Sequence, residues 1–285
     1  MELEDYSGDT RERRAMDSTI RGASLHRLKD HGDVCSKRRM AAAAAEIVDG
    51  LDGILEATRR AVHVRSRAQG FQLMAEATRL SPEQLGVSNS RPGEIRPSEE
   101  TFLEFAVLDA WRAGSTEVVM PWERLVGRQV PLMSRRESEG WGSIDLLGLD
   151  AEGRPVVVEL KKAASSETPL RALLEAAGYA IAVQANWRVL SEEIQRTSPE
   201  NRTRVDPHPT TIVVAAPEQY WQEWDRWSLK GRGVPPETRQ RLTDVAEALS
   251  DAGIPSAFVA LDTGGWDGSH RLEGDQITFS TFMPW

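Results

Sequence analysis

The sequence predicts an α/β protein in which helices cover a mixed β-sheet. Two apolar, β-rich runs, Ser143–Leu149 and Pro155–Leu160, flank the turn-forming residues 150–153, which is the pattern of a β-hairpin. After the hairpin, strand-like apolar runs alternate with segments of helical periodicity. The hairpin and this alternation together favour a sheet that contains both antiparallel and parallel strands.

The first third of the chain is predicted to lie outside the sheet domain. Residues 1–39 are polar, mixed in charge and without a sustained period, so we expect them to be poorly ordered. Residues 40–97 are predicted to form a helical extension and a linker. Apolar residues recur at helical spacing up to Leu55, and residues 86–97 are rich in Ser, Pro, Gly and Arg. The sheet domain is therefore predicted to span 98–285.

Helix signals and apolar runs predict the elements of this domain in order. A helix begins after the N-cap Ser98 and ends before Gly114, and a short strand covers 129–133. After the hairpin, Thr168 caps a helix that has Pro169 at its first position. The remaining elements are a strand, a helix and a strand, at 210–215, 235–252 and 256–261.

Charge and composition restrict the partners. The net charge is −9, and the balance is +1 for residues 1–97 and −10 for residues 98–285. This disfavours a protein that coats nucleic acid, but it is compatible with an enzyme whose carboxylates hold a metal beside one basic cleft. With one cysteine, Cys35, no internal disulfide can form, and no apolar run is long enough to span a bilayer. We expect a cytoplasmic protein without a membrane partner.

Three charged residues of the hairpin, Asp145, Glu159 and Lys161, are the candidates for chemistry. Side chains alternate along a strand, so Glu159 and Lys161 point to the same face, and hairpin pairing can bring Asp145 beside Glu159. The surrounding residues are apolar enough to be buried, where unpaired charges are costly. Burial favours a functional role, and a solvated Glu159–Lys161 pair on an exposed hairpin is the alternative.

Hydrolysis of a phosphodiester bond would use such a patch. Asp145 and Glu159, with the backbone carbonyl of Leu160, offer the hard oxygen ligands that Mg²⁺ prefers. A bound Mg²⁺ polarises a phosphate and acidifies a water molecule. Because its neighbours are anionic, Lys161 is expected to stay cationic and to orient that water rather than to act as a free-amine base.

An aspartate, a hairpin and then Glu-x-Lys, within the succession helix, three strands, helix, strand, resembles the core of the PD-(D/E)xK, or restriction-endonuclease-like, nucleases. The resemblance covers about residues 98–217, and Asp145, Glu159 and Lys161 fall on the signature positions, with Ile144 in place of the proline. It implies an αβββαβ core and hydrolysis of DNA or RNA with Mg²⁺ or Mn²⁺. DNA is the expected partner ahead of RNA, and a homodimer is compatible with this activity.

Two further pairs are candidates on the helices that flank the hairpin. RecB-like and NucS-like members of the family carry Gln-x-x-x-Tyr on the helix after the hairpin, where this chain has Glu175 and Tyr179. One helical turn apart, the two share a face and could help to position the site, although packing in the core is the favoured role for Tyr179. Many members also contribute an acidic residue from the first helix, for which Glu100 and Glu104 are the candidates.

Other functions remain as alternatives. A catalytically inactive nuclease-fold module that binds nucleic acid or protein is the main one, and the choice between endonuclease and exonuclease stays open. Asp262-Thr-Gly264 is also the motif of aspartic proteases, but too few residues follow it to complete that fold. The aromatic residues of 220–227 are predicted to pack in the core or at an interface, with base stacking as the second option.

Overall fold

The computed structural model describes residues 20–69, 99–112, 121–132, 142–197, 199–225, 237–266 and 277–282. The helices are α1 (Leu25–Leu28), α2 (Met40–Gln69), α3 (Glu99–Arg112), α4 (Pro169–Thr197), α5 (Glu218–Asp225) and α6 (Glu237–Asp251). The strands are β1 (Arg124–Pro131), β2 (Ser143–Leu149), β3 (Pro155–Leu160), β4 (Thr211–Pro217), β5 (Ser256–Asp262) and β6 (Thr278–Phe282). None of the helices in these segments is long and apolar enough to cross a membrane.

The six strands form one mixed sheet in the order β1-β2-β3-β4-β5-β6. Strands β1, β2 and β3 pair in antiparallel fashion, β3, β4 and β5 are parallel, and β6 returns antiparallel to β5. Helix α4 connects β3 to the parallel β4, because parallel neighbours need a long crossover. The predicted α/β class, a mixed sheet flanked by helices, is confirmed.

Strand β3 lies inside the sheet and is buried along its whole length. Val157 belongs to the core that contains α4, α6 and the N-terminal helices, whereas Val156 and Val158 belong to the core that contains α3. A strand that is covered on both faces reads as a continuous apolar run, which explains the sequence Pro-Val-Val-Val before the charged residues. Glu159, near the end of β3, and Lys161, just after it, therefore lie at the edge of both apolar cores.

The prediction of poor order does not hold for residues 20–39. Ile20, Leu25, Leu28 and Val34 are fully buried in the core that also contains α4, and α1 contacts both α2 and α4. These apolar residues are too widely spaced to show a helical or strand period, so only tertiary packing reveals them. Helix α2 packs against α4 and α6, so the predicted helical extension shares a core with the sheet.

Two strands differ from the sequence prediction. Strand β1 begins at Arg124 rather than at residue 129, because its pairing with β2 extends over Arg124↔Leu149 to Pro131↔Ser143. A bulge interrupts this register between Leu125 and Gly127, which obscures the alternation on which strand prediction depends. Strand β6 was not predicted.

Thr168 joins the N-terminal segment to α4, and its substitution tests this connection. Its hydroxyl accepts the Arg171 N–H (3.1 Å) and donates to the Val34 carbonyl (2.6 Å). Thr168→Val keeps the shape and removes both bonds, so we expect a loss of about 2–3 kcal/mol in the free energy of unfolding, measured in urea. Thr168→Ser keeps the hydroxyl and should lose about half of that or less. Equal losses in the two variants would contradict this role.

Candidate active site

The candidate site lies where β2 and β3 stop pairing. The last registered pair of β2 and β3 is Leu146↔Val158. Asp145 precedes Leu146 and Glu159 follows Val158, so both residues lie just beyond the paired region. The backbone N–H of Leu160 donates instead to the Asp145 carboxylate, with 2.7 Å between Leu160 N and Asp145 Oδ2. The Asp145 side chain thus binds the β3 backbone immediately after Glu159, as the predicted hairpin requires.

Glu159 and Lys161 form a buried ion pair at the end of β3. The distance from Lys161 Nζ to Glu159 Oε1 is 2.7 Å, and the two residues are 4% and 5% exposed. The other oxygen, Glu159 Oε2, is buried and has no hydrogen-bond partner among the described residues. Burial raises the pKa of Glu159 to about 7, although the Lys161 charge opposes this shift. The alternative interpretation, a solvated pair on an exposed hairpin, is therefore wrong.

Three carboxylates surround the ammonium of Lys161. Besides Glu159, Glu167 Oε2 lies at 2.7 Å and Glu175 Oε2 at 3.7 Å from Nζ. Burial lowers the pKa of Lys161, but the charges of Glu159, Glu175 and Glu167 outweigh burial and raise the pKa above its ordinary value. Lys161 is therefore a cation at every physiological pH.

A hydrogen-bonded bridge joins Asp145 to α3. The amide Nε2 of Gln129 donates to Asp145 Oδ1 (2.9 Å) and to Glu104 Oε1 (2.7 Å), and Arg128 donates to Glu104 Oε2 (2.7 Å). Gln129 lies opposite Asp145 in the β1–β2 register, between Arg128↔Leu146 and Val130↔Ile144. Its φ is +49°, a left-handed conformation that costs a residue with a Cβ and is uncommon inside a strand.

The two bridged carboxylates have raised pKa values. Burial is the main cause for Asp145, whose pKa lies well above its ordinary value, and the charges of Glu159 and Glu104 add to it. Burial also raises the pKa of Glu104, while its bond with Arg128 opposes the shift. Bringing these carboxylates together thus costs free energy, which positive charge placed between them would recover.

Helix α4 supplies the other side of the site. The hydroxyl of Tyr179 donates to Glu175 Oε1 (2.9 Å), Lys29 forms an ion pair with the same oxygen, and Arg171 lies 3.1 Å from Glu175 Oε2. Burial raises the pKa of Glu175, but the charges of Lys161 and Lys29 outweigh it and lower the pKa to about 2. Glu175 is therefore an anion.

Tyr179 remains a neutral phenol, which donates a hydrogen bond to Glu175. Burial, followed by the charges of Glu159 and Glu175, raises its pKa above the ordinary value. A Cβ added to Gly142, which has a φ of +98°, would lie 2.5 Å from the Tyr179 hydroxyl oxygen. The glycine before β2 therefore allows the tyrosine to approach the hairpin.

The structure brings together most of the residues that the sequence suggested. Asp145, Glu159 and Lys161 converge with Glu104 from α3, and with Glu175 and Tyr179 from α4. Glu100 contributes only its charge, which raises the pKa of Glu104. Leu160 contributes its N–H, while the use of its carbonyl as a metal ligand stays a prediction.

Sequence reasoning missed five residues of the site, namely Lys29, Arg128, Gln129, Glu167 and Arg171. The helical spacing of Glu167, Arg171 and Glu175, each four residues apart, was a signal that could have found two of them. Gln129 and Lys29 gave no local signal, because their partners lie 16 and 146 residues away.

In the segments that the structure describes, no group of three or more His, Cys, Asp or Glu side chains is arranged to hold a metal ion. The site offers two candidate carboxylates, Asp145 and Glu159. Each Asp145 oxygen accepts one N–H bond and retains acceptor capacity, and the buried Glu159 Oε2 has no hydrogen-bond partner in the part of the chain that the structure describes. Comparisons of the chain with protein-family models, curated proteins and solved structures found no significant match.

Substitutions of Gln129 test whether backbone strain is held at the site. Gln129→Ala and Gln129→Gly both remove the bridge between Glu104 and Asp145, but only glycine accommodates a φ of +49° without cost. We expect the Gly variant to be more stable than the Ala variant by about 1 kcal/mol in urea unfolding. An Ala variant as stable as the Gly variant would show that this conformation is not strained.

Proposed function

We propose that this protein is a divalent-metal-dependent nuclease that hydrolyses phosphodiester bonds in DNA, with RNA as the alternative substrate. The observation that carries this proposal is the convergence of Asp145, Glu159 and Lys161 at the end of the β2–β3 hairpin. Burial of the charged Glu159 and Lys161 at a strand end costs stability, and a Glu159 oxygen that has no hydrogen-bond partner among the described residues adds to that cost. Such groups are frequent in active sites.

Asp145 and Glu159 are the residues that would hold Mg²⁺ or Mn²⁺. Their oxygens are hard ligands, and Mg²⁺ keeps several of its waters, so two carboxylates and a backbone carbonyl suffice. Glu159 Oε2, which has no hydrogen-bond partner within the described segments, and the raised pKa values of both groups fit a cation in this position. When bound, the ion would polarise the phosphate and acidify a water molecule.

Lys161 would orient the attacking water or offset negative charge on the phosphate. Three carboxylates keep it protonated, so it cannot accept a proton from water in this state. An ammonium held in place by fixed anions stabilises developing negative charge without reorganisation during the reaction. The surrounding ion pairs therefore support the orienting role and argue against a free-amine base.

The strand arrangement also supports the proposal. Three antiparallel strands precede a crossover helix and a parallel strand, which is the succession that the resemblance to PD-(D/E)xK nucleases implies. Glu104 and Glu175 reach the hairpin end from helices on opposite faces of the sheet. A metal and a substrate phosphate would therefore bind at the hairpin end, between the acidic groups of the two helices.

A catalytically inactive nuclease-fold module is the second candidate. The ion pair between Lys161 and Glu159 Oε1 favours it, because a satisfied pair needs no metal. The net charge of −9 also fits a protein-binding module better than one that binds nucleic acid by charge alone. The two candidates differ in whether Asp145 and Lys161 are needed for function.

Substitutions in the hairpin separate the two functions. Asp145→Asn and Glu159→Gln should each abolish Mn²⁺ binding in calorimetry and lower cleavage of single- and double-stranded DNA and RNA at least about 1,000-fold. Lys161→Met should lower cleavage similarly while Mn²⁺ binding persists, because it removes no ligand. Asp262→Asn, at an exposed carboxylate that ends β5, is the matched control and should change neither. Native protein that binds no Mn²⁺ and cleaves none of these substrates would favour the inactive module.

Metal affinity should depend on pH through Glu159. A divalent cation needs the ionised carboxylate, and burial raises the pKa of Glu159 to about 7, so a proton competes with the metal below this pH. The pKa of Asp145 is raised as well, so we expect Mn²⁺ affinity to fall by about tenfold or more for each pH unit below 7. Calorimetry in buffers of different ionisation enthalpy should show proton release near pH 6.5. Affinity that is constant from pH 5.5 to 8 would contradict this coupling.

A further inference from the structure

The ion pairs around Lys161 extend to residues from outside the sheet. Glu159, Glu167 and Glu175 face Lys161, and Arg171 contacts Glu167, Glu175 and the exposed Asp30 of the N-terminal segment. The Glu175 side chain is only 9% exposed, and a buried carboxylate destabilises a protein unless it is paired. Lys161 and Arg171 face one of its two oxygens, so the other oxygen needs a further cation.

Lys29, from the segment that precedes α2, supplies this cation. Its ammonium forms an ion pair with Glu175 Oε1, and the two side chains are only 10% and 9% exposed. It also lies 5.8 Å from the centroid of the Tyr179 ring, whose hydroxyl donates to the same carboxylate oxygen. The second oxygen, Glu175 Oε2, faces Arg171 and Lys161. One carboxylate therefore separates Lys29 from Lys161.

The position of Lys29 is fixed by the packing of its own segment. It caps the C-terminus of α1, where its backbone N–H bonds to the Leu25 carbonyl, and Leu28 beside it is buried. The backbone N–H of Leu25 donates to the Thr58 hydroxyl of α2 (2.9 Å). Lys29 thus extends from a backbone that is attached to the core on both sides.

We propose that Lys29 is a positioning residue of the candidate active site, which acts through Glu175 to hold Lys161 beside Glu159. By holding one oxygen of Glu175, Lys29 directs the other oxygen toward Lys161. The segment 20–39 is then a part of the site. The catalytic consequence rests on the proposed nuclease function, whereas the effect of Lys29 on Lys161 does not.

Single and double substitutions test whether Lys29 acts through Glu175. Lys29→Met leaves one oxygen of Glu175 without its cation, and Glu175→Gln removes the carboxylate that faces Lys161, so each should lower kcat for Mn²⁺-dependent cleavage at least tenfold. Lys29 cannot act on Lys161 once Glu175 is changed, so the double variant, Lys29→Met with Glu175→Gln, should keep a kcat within about threefold of that of Glu175→Gln alone. The matched control is the exposed pair Lys37–Glu223, which also joins this segment to the rest of the chain. Lys37→Met should leave kcat unchanged.

A second readout does not require activity. Acetylation of lysines in the folded protein by acetic anhydride, quantified by mass spectrometry, compares the buried Lys161 with its exposed neighbour Lys162. Lys29→Met should increase acetylation of Lys161 relative to Lys162 at least threefold, and the double variant should show the same increase as Glu175→Gln alone. Urea unfolding of the same variants verifies that each is folded.

The outcomes separate the two proposals. Native protein that cleaves nothing contradicts the nuclease function, and the acetylation ratio then decides the role of Lys29. Unchanged Lys161 acetylation in Lys29→Met overturns the positioning role even when the native protein is active. A double variant that loses activity as the product of the two single losses also overturns it, because independent effects multiply.

Discussion

The ion pair between Glu159 and Lys161 constrains much of the surrounding structure. Both side chains are buried at the end of β3. A buried ion pair is stable only when hydrogen bonds or further ion pairs satisfy its remaining charges and lone pairs. Arg171 and Glu175, one turn apart on helix α4, meet this need from one side together with Glu167, which precedes the helix. Lys29, from a segment distant in sequence, pairs with Glu175, so the N-terminal residues and the hairpin belong to one network of ion pairs.

A second constraint acts on the side of α3. Asp145 and Glu104 are drawn together by a single amide, that of Gln129, which requires a left-handed backbone in the middle of β1. Strain of this kind persists when the neighbouring structure fixes it, and it is concentrated at functional sites. The carboxylates with raised pKa values are those that the proposed metal would contact or approach, whereas Glu175, whose pKa is lowered, faces the cations. The site thus separates groups that suit a metal from groups that hold Lys161.

Local patterns in the sequence predicted the central elements well. Strands β2 and β3 have the predicted bounds, because two apolar runs flank a strong turn signal, and α4 begins at the predicted Pro169 after its Thr168 cap. Asp145, Glu159 and Lys161 lie together at the end of the hairpin, as strand pairing implies. Long-range and irregular features escaped prediction: Lys29 meets its partner 146 residues away, and a bulge and the left-handed Gln129 break the alternation of β1. Tertiary packing decides such positions.

The most direct test of a metal site between Asp145 and Glu159 is crystallographic. Crystals soaked in MnCl₂ would be measured at the manganese absorption edge, and an anomalous difference map would locate the ion. The proposal expects one peak at about 2.0–2.3 Å from oxygens of both carboxylates, with the remaining positions filled by water and the Leu160 carbonyl. The result that would contradict it is a well-ordered site without a peak, in which Lys161 still pairs with Glu159 and Gln129 still bridges Asp145 to Glu104.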